Sequence, residues 1–591
     1  MEGIMRIVLP EELLGHLKTI YGDQGERIKT ELQDYADHYQ VKKPIANRVD
    51  WYKNMRLYCV YPDGVSYDPS LSPLRNLQLH VSQVRDIHCN AMHVLPFLAS
   101  PMVDKGFDIT DYFKIREGLG THLDLIAFKR AAENENIHVF MDMVLNHVSN
   151  EHEWFKKAQA GDERYRNFFI HSKEDPKINQ VINKESGVFA EYRVDDQDVE
   201  VGVPFPELAG VFPHWEQGAD GYWYYHTFYP QEMDLNWFNH EVFIEFGKII
   251  IYWSSFGFNY RFDAIPFVGK AAYKILNNNL VTYQIIAAIR CICDAVHPFS
   301  AILIETYEKL PTIIEYFETG PKEAVQLAYN FHLCTKTWAS LVKGDVSYIW
   351  GILDEEGRTP PMAQWLNFLR NHDELSLDYL SHELTTEVYG ELSRFGLAFR
   401  EGHGVSGRIF SLLGSDPKRL SMAFALLASF PNSLMVYCGD EIAYGNVDLE
   451  RFSAAERLDT RNISRGTISA DDYQTPRAME SRAVIRKIFE KKDELVDFFI
   501  KWPKPIEGTP AVFSLFYEDE NNMKLLIYIN ISNRIQRVAL DYSHCQPVLT
   551  INEADLTTPG AASSLTLGPY GAIWLRQNVG QDPVLAQPPG R

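Results

Sequence analysis

The chain has no apolar run long enough to cross a bilayer. Its most hydrophobic window, Met422 to Cys438, is broken by Pro431, Asn432 and Ser433, and reads as a buried helix, a turn and a strand. The N-terminal stretch MEGIMRIVLPEELLGHL lacks the apolar core of a signal peptide and carries Glu2, Glu11 and Glu12. Positive charge is also in short supply. The 57 Lys and Arg residues face 79 Asp and Glu, a formal net charge of −22, which disfavours nucleic acid or an anionic membrane as the main partner. Cysteine is sparse and scattered. Of the seven, Cys59, Cys89 and Cys438 lie in or beside apolar, strand-like runs and read as reduced core residues. Cys291 and Cys293 form a CxC with no second Cys/His pair at zinc-finger spacing, so no metal site is expected there. An odd, scattered set favours a reducing compartment, and the expected location is cytoplasmic.

What the chain does have is length and order. Its 591 residues exceed what one hydrophobic core supports, so two to four domains are expected. Aromatic residues reach 13%, a level that suits either large cores or sugar-stacking surfaces and decides neither. Residues 1–50 hold two helical patterns, around Glu11–Tyr21 and Gly25–Tyr39, expected to pack on the main domain. Eight apolar strand candidates follow: Arg56–Val60, Ala91–Phe97, Ile137–Met143, Phe258–Phe262, Ala301–Ile304, Val325–Asn330, Trp365–Leu369 and Ser433–Tyr437. Helical periodicity fills most gaps, as in Leu123–Glu135, Val242–Phe256 and Leu280–Val296. Strands alternating with helices imply a parallel sheet, and eight such units imply an α/β fold, a closed (β/α)₈ TIM barrel. The gap between the third and fourth strands is too long for a helix alone. Past about Pro503, alternating apolar residues in VFSLFY, KLLIYINI and RVALDY, then in the stretch ending PYGAIWLRQ, predict a small antiparallel β-sandwich. The tail from Asn578 is rich in Gly and Pro and is expected to be disordered. No repeat of solenoid period is present.

Four segments end a strand candidate with an acid: Ile137–His147 (IHVFMDMVLNH), Phe256–Ala264 (FGFNYRFDA), Ala301–Glu305 (AILIE) and Trp365–Glu374 (WLNFLRNHDE). One such acid reads as a cap or turn residue. Four in order, with Arg261–Asp263 and His372–Asp373 among them, match the way β/α barrels carry catalytic groups at strand ends. Arg261 and Asp263 are two residues apart on one strand and so face the same side. Paired carboxylates so placed are the equipment of retaining glycoside hydrolysis.

These segments resemble the α-amylase superfamily, glycoside hydrolase family 13. Asp142–His147 is similar to its DxxxNH motif, Gly257–Ala264 to GFRxDA, and Asn371–Asp373 to NHD; Glu305 stands where its acid/base glutamate stands. Glu232–Asn236 (EMDLN) is similar to QPDLN, and Gly439–Glu441 to the GDE after the eighth strand. The resemblance covers roughly residues 50–480. It implies a catalytic barrel over 51–147 and 226–500, an inserted domain B over 148–225, and a C-terminal domain over 501–577. It also implies Asp263 as nucleophile, Glu305 as acid/base and Asp373 as the carboxylate holding sugar hydroxyls. Arg261, His147 and His372 would bind or orient around them, Asp142 would orient neighbours, and Asn146 would hold the third loop or, in some relatives, ligate calcium.

The branch is narrowed by departures. Asp104–Phe107 (DKGF) resembles the DxGY segment of α-glucosidases, whose Asp pairs with a distant Arg to close the pocket beyond the first glucose. Arg465 in DTRNISRG is the expected partner, and Phe107 keeps stacking without the usual hydroxyl. Pro266 and Phe267 replace the Lys-His of endo-acting α-amylases, and Asp263–Lys270 (DAIPFVGK) looks like α-glucosidases, trehalose synthases and amylosucrases. Ala264 points to α-1,4 or α-1,1 linkages. The DxNxDG calcium loop is absent at Pro62–Asp68, so neither metal nor cofactor is expected. The expected activity is a retaining, exo-acting α-glucoside hydrolase or transglucosidase on short α-glucosides, sucrose included. A trehalose synthase-type isomerase and a sucrose or glucoside phosphorylase are the alternatives, and a non-catalytic binding subunit a distant one. The expected partner is a small α-glucoside or oligosaccharide, not nucleic acid or membrane; the oligomeric state is left open.

Overall fold

The structure, a computed structural model, describes residues 4–42, 50–184, 187–194, 196–206, 208, 213–271, 280–318, 324–353, 358–454, 456–506, 508–539, 545–557 and 564–577. The tail from residue 578 on lies outside the described residues.

Eight parallel strands close into a barrel: β1 (Arg56–Val60), β2 (Ala91–Val94), β3 (His138–Val144), β4 (Asn259–Asp263), β5 (Ile302–Ile304), β6 (Leu327–Tyr329), β7 (Gln364–Asn367) and β8 (Ser433–Tyr437). Their residues are almost all buried, because barrel strands are covered by side chains inside and helices outside. The second strand is shorter than the expected Ala91–Phe97. It stops at Val94, since Pro96 has no N–H to give the ladder. Asp142 of β3 and Arg261 of β4 are register partners, so their side chains enter the barrel side by side.

Helices α1 (Glu11–Tyr21) and α2 (Gln24–Ala36) pack on α3 (His240–Ser255) and α4 (Leu280–Val296) through Leu13, Leu17, Ile28 and Leu32. Gly247 of α3 permits the approach: a Cβ there would stand 2.6 Å from a Leu32 methyl. α2 stops at Ala36, short of the expected Tyr39, because the chain turns into Gln40–Lys42, a strand paired with Ile4–Arg6.

Between β3 and β4 lie two three-stranded antiparallel sheets. One is Ile178–Lys184, Gly187–Val194 and Gln197–Gly202; the other joins His171–Ser172, Trp223–Tyr225 and Trp215–Gln217. A small cluster including Ala190, Val201, Trp215 and Tyr225 closes them. Returning to the barrel, Glu232–Asp234 pairs antiparallel with His147–Ser149 and sets Asp234 beside His147. At the C-terminus, a five-stranded and a three-stranded sheet face each other across Val512, Leu526, Leu565 and Leu575. The alternate residues Phe513, Leu515, Tyr517 and Ile527 belong to the main core, so the larger sheet is buried on both faces.

Candidate active site

The ends of β3, β4, β5 and β7 deliver their charged residues to one cavity of about 360 Å³, lined among others by Asp104, Phe107, His147, Asp263, Glu305, Asp373 and Arg461. At its floor is Arg261, fully buried. One guanidinium nitrogen meets Asp142 at 2.9 Å and also bonds Asp263; the other meets Glu305 at 2.8 Å. Asp142 is held from behind by His93 Nε2 at 2.9 Å. It therefore orients Arg261 and does not line the cavity. Ala264 follows Asp263 at φ 45°, a left-handed conformation that costs a non-glycine residue about 1–2 kcal/mol. That turn aims its amide at Glu305 Oε2, 3.3 Å away.

The three carboxylates are driven apart electrostatically. Burial raises the Glu305 carboxyl to about 8, with Arg261 opposing and the charges of Asp263 and Asp373 adding to the rise. Burial also raises Asp263, against the pull of Arg261 and His147. Asp373 goes the other way. Burial pushes it up, but His372, Arg461 and Arg465 outweigh that and hold it well below the usual carboxylate range. A protonated acid beside an ionised one is the arrangement that divides acid and electrostatic roles.

The two histidines differ. Burial strips the proton from His372, lowering it to about 3 against the pull of Asp373, whose Oδ2 stands 3.0 Å from Nε2. The ring stacks on Phe107 at 5.6 Å, and Arg261 lies over the other ring, 5.4 Å from the Phe107 centroid. For His147, burial is overcome by Glu232, whose carboxylate stands 3.3 Å from Nε2, and the ring is raised to about 9. Glu232 is one of the chain's two departures from QPDLN, and its contact follows only from pairing two distant motifs.

The expected pairing of Asp104 with Arg465 is corrected. Arg461 meets Asp104 at 3.2 Å, Asp373 at 3.2 Å and the Tyr229 hydroxyl at 2.9 Å. Arg465 instead meets Asp373 at 2.9 Å and Asp459 at 3.1 Å. The cause is local. Asp459 caps a 3₁₀ turn over Thr460–Ser464 and ties both arginines, with Arg461 Nε at 2.8 Å. Burial and nearby Glu232 push the Asp104 carboxyl up against the pull of both arginines.

Lys270 belongs to the DAIPFVGK segment, whose spacing does not reveal its contacts. Its ammonium, buried, bonds Asn146 Oδ1, Asp234 at 2.6 Å and the Phe267 carbonyl at 2.9 Å. Burial lowers its affinity for the proton and Asp234 opposes that. The oxygens of Asn146 and Asp234 are thus met by a cation of the chain itself. Lys270→Met is expected to destabilise the protein by about 3–5 kcal/mol, because Asp234 would be left buried and uncompensated. Adding Asp234→Asn should recover much of the loss. Thermal unfolding of both variants checks this, and an unchanged melting temperature for Lys270→Met would rule the pair out as a stabilising contact.

Among the described residues, one group of side chains that could hold a metal, Glu12, His16 and Cys291, comes together where α1 meets α4 in the outer helical layer. No described helix is long and apolar enough to cross a membrane.

A family model described as "Alpha amylase, catalytic domain" matches residues 74–484. Trehalose synthase of Thermus thermophilus is 28% identical over 401 residues, 67% of this chain and 39% of that protein. The chain thus spans well under half of that relative. Trehalose synthase/amylase TreS of Mycolicibacterium smegmatis is 25% identical, with 72% of this chain and 69% of that protein covered. An alpha-glucosidase of Apis mellifera is 23% identical, with 83% and 86% covered. Two solved structures share the fold at 17% identity. The alpha-glucosyl transfer enzyme XgtA has a TM-score of 0.68, with 90% of this chain and 100% of that chain covered. Isomaltulose synthase from Klebsiella sp. LX3 has a TM-score of 0.67, with 89% and 99% covered.

Proposed function

The chain belongs to the α-amylase family, and from that premise we propose that it is a retaining, exo-acting α-glucoside hydrolase or transglucosidase of short α-1,4 or α-1,1 glucosides. The observation that carries the reading is Arg261 holding Asp263 and Glu305 on one guanidinium while burial keeps Glu305 protonated. Two carboxyls brought to one guanidinium from neighbouring strands supply the pair that double displacement needs. Asp263 would attack C1 as Glu305 gives its proton to the leaving oxygen. Glu305 would then take a proton from water or an acceptor hydroxyl, whose oxygen displaces Asp263 with net retention. Asp373, ionised and held by two arginines, would accept hydroxyls of the glucose ring.

The Asp104–Arg461 pair supports exo action, since it sets charged groups where an internal glucose would need room. The test is the product ladder from end-labelled maltoheptaose, with NMR of the first-formed sugar. Single-glucose steps and an α-anomer are expected; an early spread of mid-length products would sink exo action, and a β-anomer the mechanism. The proton on Glu305 adds a pH test. Above pH about 8 the acid is lost, so rates on maltose or trehalose should fall. Rates on α-glucosyl fluoride, whose leaving group needs no proton, should hold. Glu305→Gln should reproduce that contrast in kcat/KM, which reports the first step, at all pH values, while kcat falls on both substrates because the base of the second step is gone; equal losses in kcat/KM on both would remove Glu305 from the acid role.

A trehalose synthase-type isomerase is the second reading, favoured by the trehalose synthases among the relatives. Trehalose accumulating from maltose would select it. Phosphorolysis is not favoured. The cations that line the cavity are already paired, Arg400 with Asp378 at 2.6 Å, Lys270 with Asp234 and Arg461 with Asp104, and Glu308 and Glu374 line it too. A non-catalytic role is opposed by the presence of Asp263, Glu305 and Asp373 in one cavity.

A further inference from the structure

Glu12, His16 and Cys291 lie outside the sugar cavity and take no part in the chemistry above. Glu12 and His16 are four residues apart on α1, so they share one face of that helix a turn apart. α4 brings Cys291 to the same place. One ligand atom from each residue, a carboxylate oxygen, a ring nitrogen and the sulfur, all lie within 4.8 Å of one another. Cys293 is no part of the group, because two residues further along α4 it points about 200° round the helix. The CxC spacing alone gives no metal pattern; the other two donors come from a different helix.

Two features separate this group from ordinary helix packing. The first is the state of the histidine. His16 Nδ1 stands 2.7 Å from Gln284 Oε1. An amide oxygen only accepts, so Nδ1 carries the proton and the lone pair of the neutral ring is left on Nε2. A hydrogen bond to one ring nitrogen is how the partners of metal-bound histidines fix the other. Gln284 lies seven residues, about two turns, before Cys291, so one face of α4 supplies both the sulfur and the group that aims the imidazole. The second feature is depth. Cys291 carries a thiol at 5% exposure, whereas Glu12 and His16 are half-buried. The sulfur is therefore held by packing, and two donors beside solvent can close on an ion. The donor set selects that ion. Thiolate, imidazole and carboxylate together suit Zn²⁺, while all-oxygen sites suit Ca²⁺ and Mg²⁺. Tetrahedral zinc holds its donors roughly 3.3–3.7 Å apart, so movements of about 1 Å would complete the shell.

We infer that Glu12, His16 and Cys291 form a Zn²⁺ site, with water as the fourth ligand, that fastens α1 to the barrel helix α4. On binding, the Cys291 thiol gives its proton to solvent and its sulfur bonds the ion, with no change of oxidation state. Gln284 is a positioning residue that acts through the His16 ring. The site is independent of the glucosidase reading and stands or falls without it.

Co²⁺ is the probe, because its bond to a thiolate absorbs in the near ultraviolet and its visible bands are intense only at low coordination number. Titrating the full, reduced chain with Co²⁺ is expected to give one saturating thiolate band, bleached when Zn²⁺ displaces the ion. Cys291→Ser should abolish the band. His16→Gln and Glu12→Gln should each weaken Co²⁺ binding at least about tenfold, and so should Gln284→Leu, which frees the ring without removing a ligand. Zn²⁺ should also slow amide exchange in α1 of the native chain and not of Cys291→Ser. Circular dichroism checks each fold, and the half-buried His16 supplies the test should Cys291→Ser not fold. No thiolate band at a large excess of Co²⁺, or a band that survives Cys291→Ser, overturns the site. A band indifferent to His16→Gln and Glu12→Gln overturns the three-donor assignment. Native affinity in Gln284→Leu overturns the role given to Gln284.

Discussion

Asp263→Asn is expected to leave a folded protein that turns over α-glucosides at least ~10³-fold more slowly, because a covalent nucleophile has no cheap substitute. Folding should survive for a reason visible in the site. Asn keeps the size of Asp and an oxygen for Arg261, and that buried cation still has Asp142 at 2.9 Å and Glu305 at 2.8 Å. The group changed is therefore one of three carboxyls around the guanidinium, and with Asp142 ionised beside it the Arg is not orphaned. Circular dichroism with kcat on maltose, trehalose and an aryl α-glucoside makes the measurement. Asp263→Gly supplies a chemical check: azide entering the vacated space should restore turnover and yield the β-glucosyl azide. A folded Asp263→Asn protein with near-native rates would mean that the fourth strand does not carry the nucleophile.

The second large effect is expected at Arg461. It is the one described cation in contact with Asp104, and it also meets Asp373, Asp459 and Tyr229. Arg461→Ala would leave Arg465 to serve Asp373 and Asp459, with Asp104 unpaired. Truncating one partner of a buried charge pair at a binding site costs about 2–5 kcal/mol of binding, so kcat/KM on maltose should fall by roughly 10²–10³. Arg461→Lys should recover little, since one ammonium cannot reproduce a fork shared among three acids. Arg465→Lys should spare the single-glucose product pattern, because Arg465 does not touch Asp104. If Arg465→Lys abolishes that pattern and Arg461→Ala keeps it, the cap has been assigned to the wrong arginine.

These two arginines show where reading the chain stops. The segment DTRNISRG places both near the pocket, and nothing in its spacing chooses between them. The choice comes from Asp459, whose capping of the 3₁₀ turn rotates Arg461 towards Asp104 and turns Arg465 back onto Asp373. Lys270 is a similar case. It stands in plain view seven residues after Asp263, but its partners Asn146 and Asp234 arrive from the end of β3 and from the strand that pairs with His147. Glu232 could be seen to depart from its motif, and its grip on His147 follows only once that pairing is formed.

Local sequence determined the barrel, the order of its strands, and the delivery of Asp142, Asp263, Glu305 and Asp373 to strand ends. Those properties depend on periods of two and 3.6 residues and on turn chemistry, all carried within short windows. Tertiary structure decided which arginine caps the pocket, which cation meets Asp234, and why Glu305 holds its proton while Asp373 cannot. Each of these depends on burial and on charges brought together from segments tens to hundreds of residues apart, and no short window along the chain contains that distance.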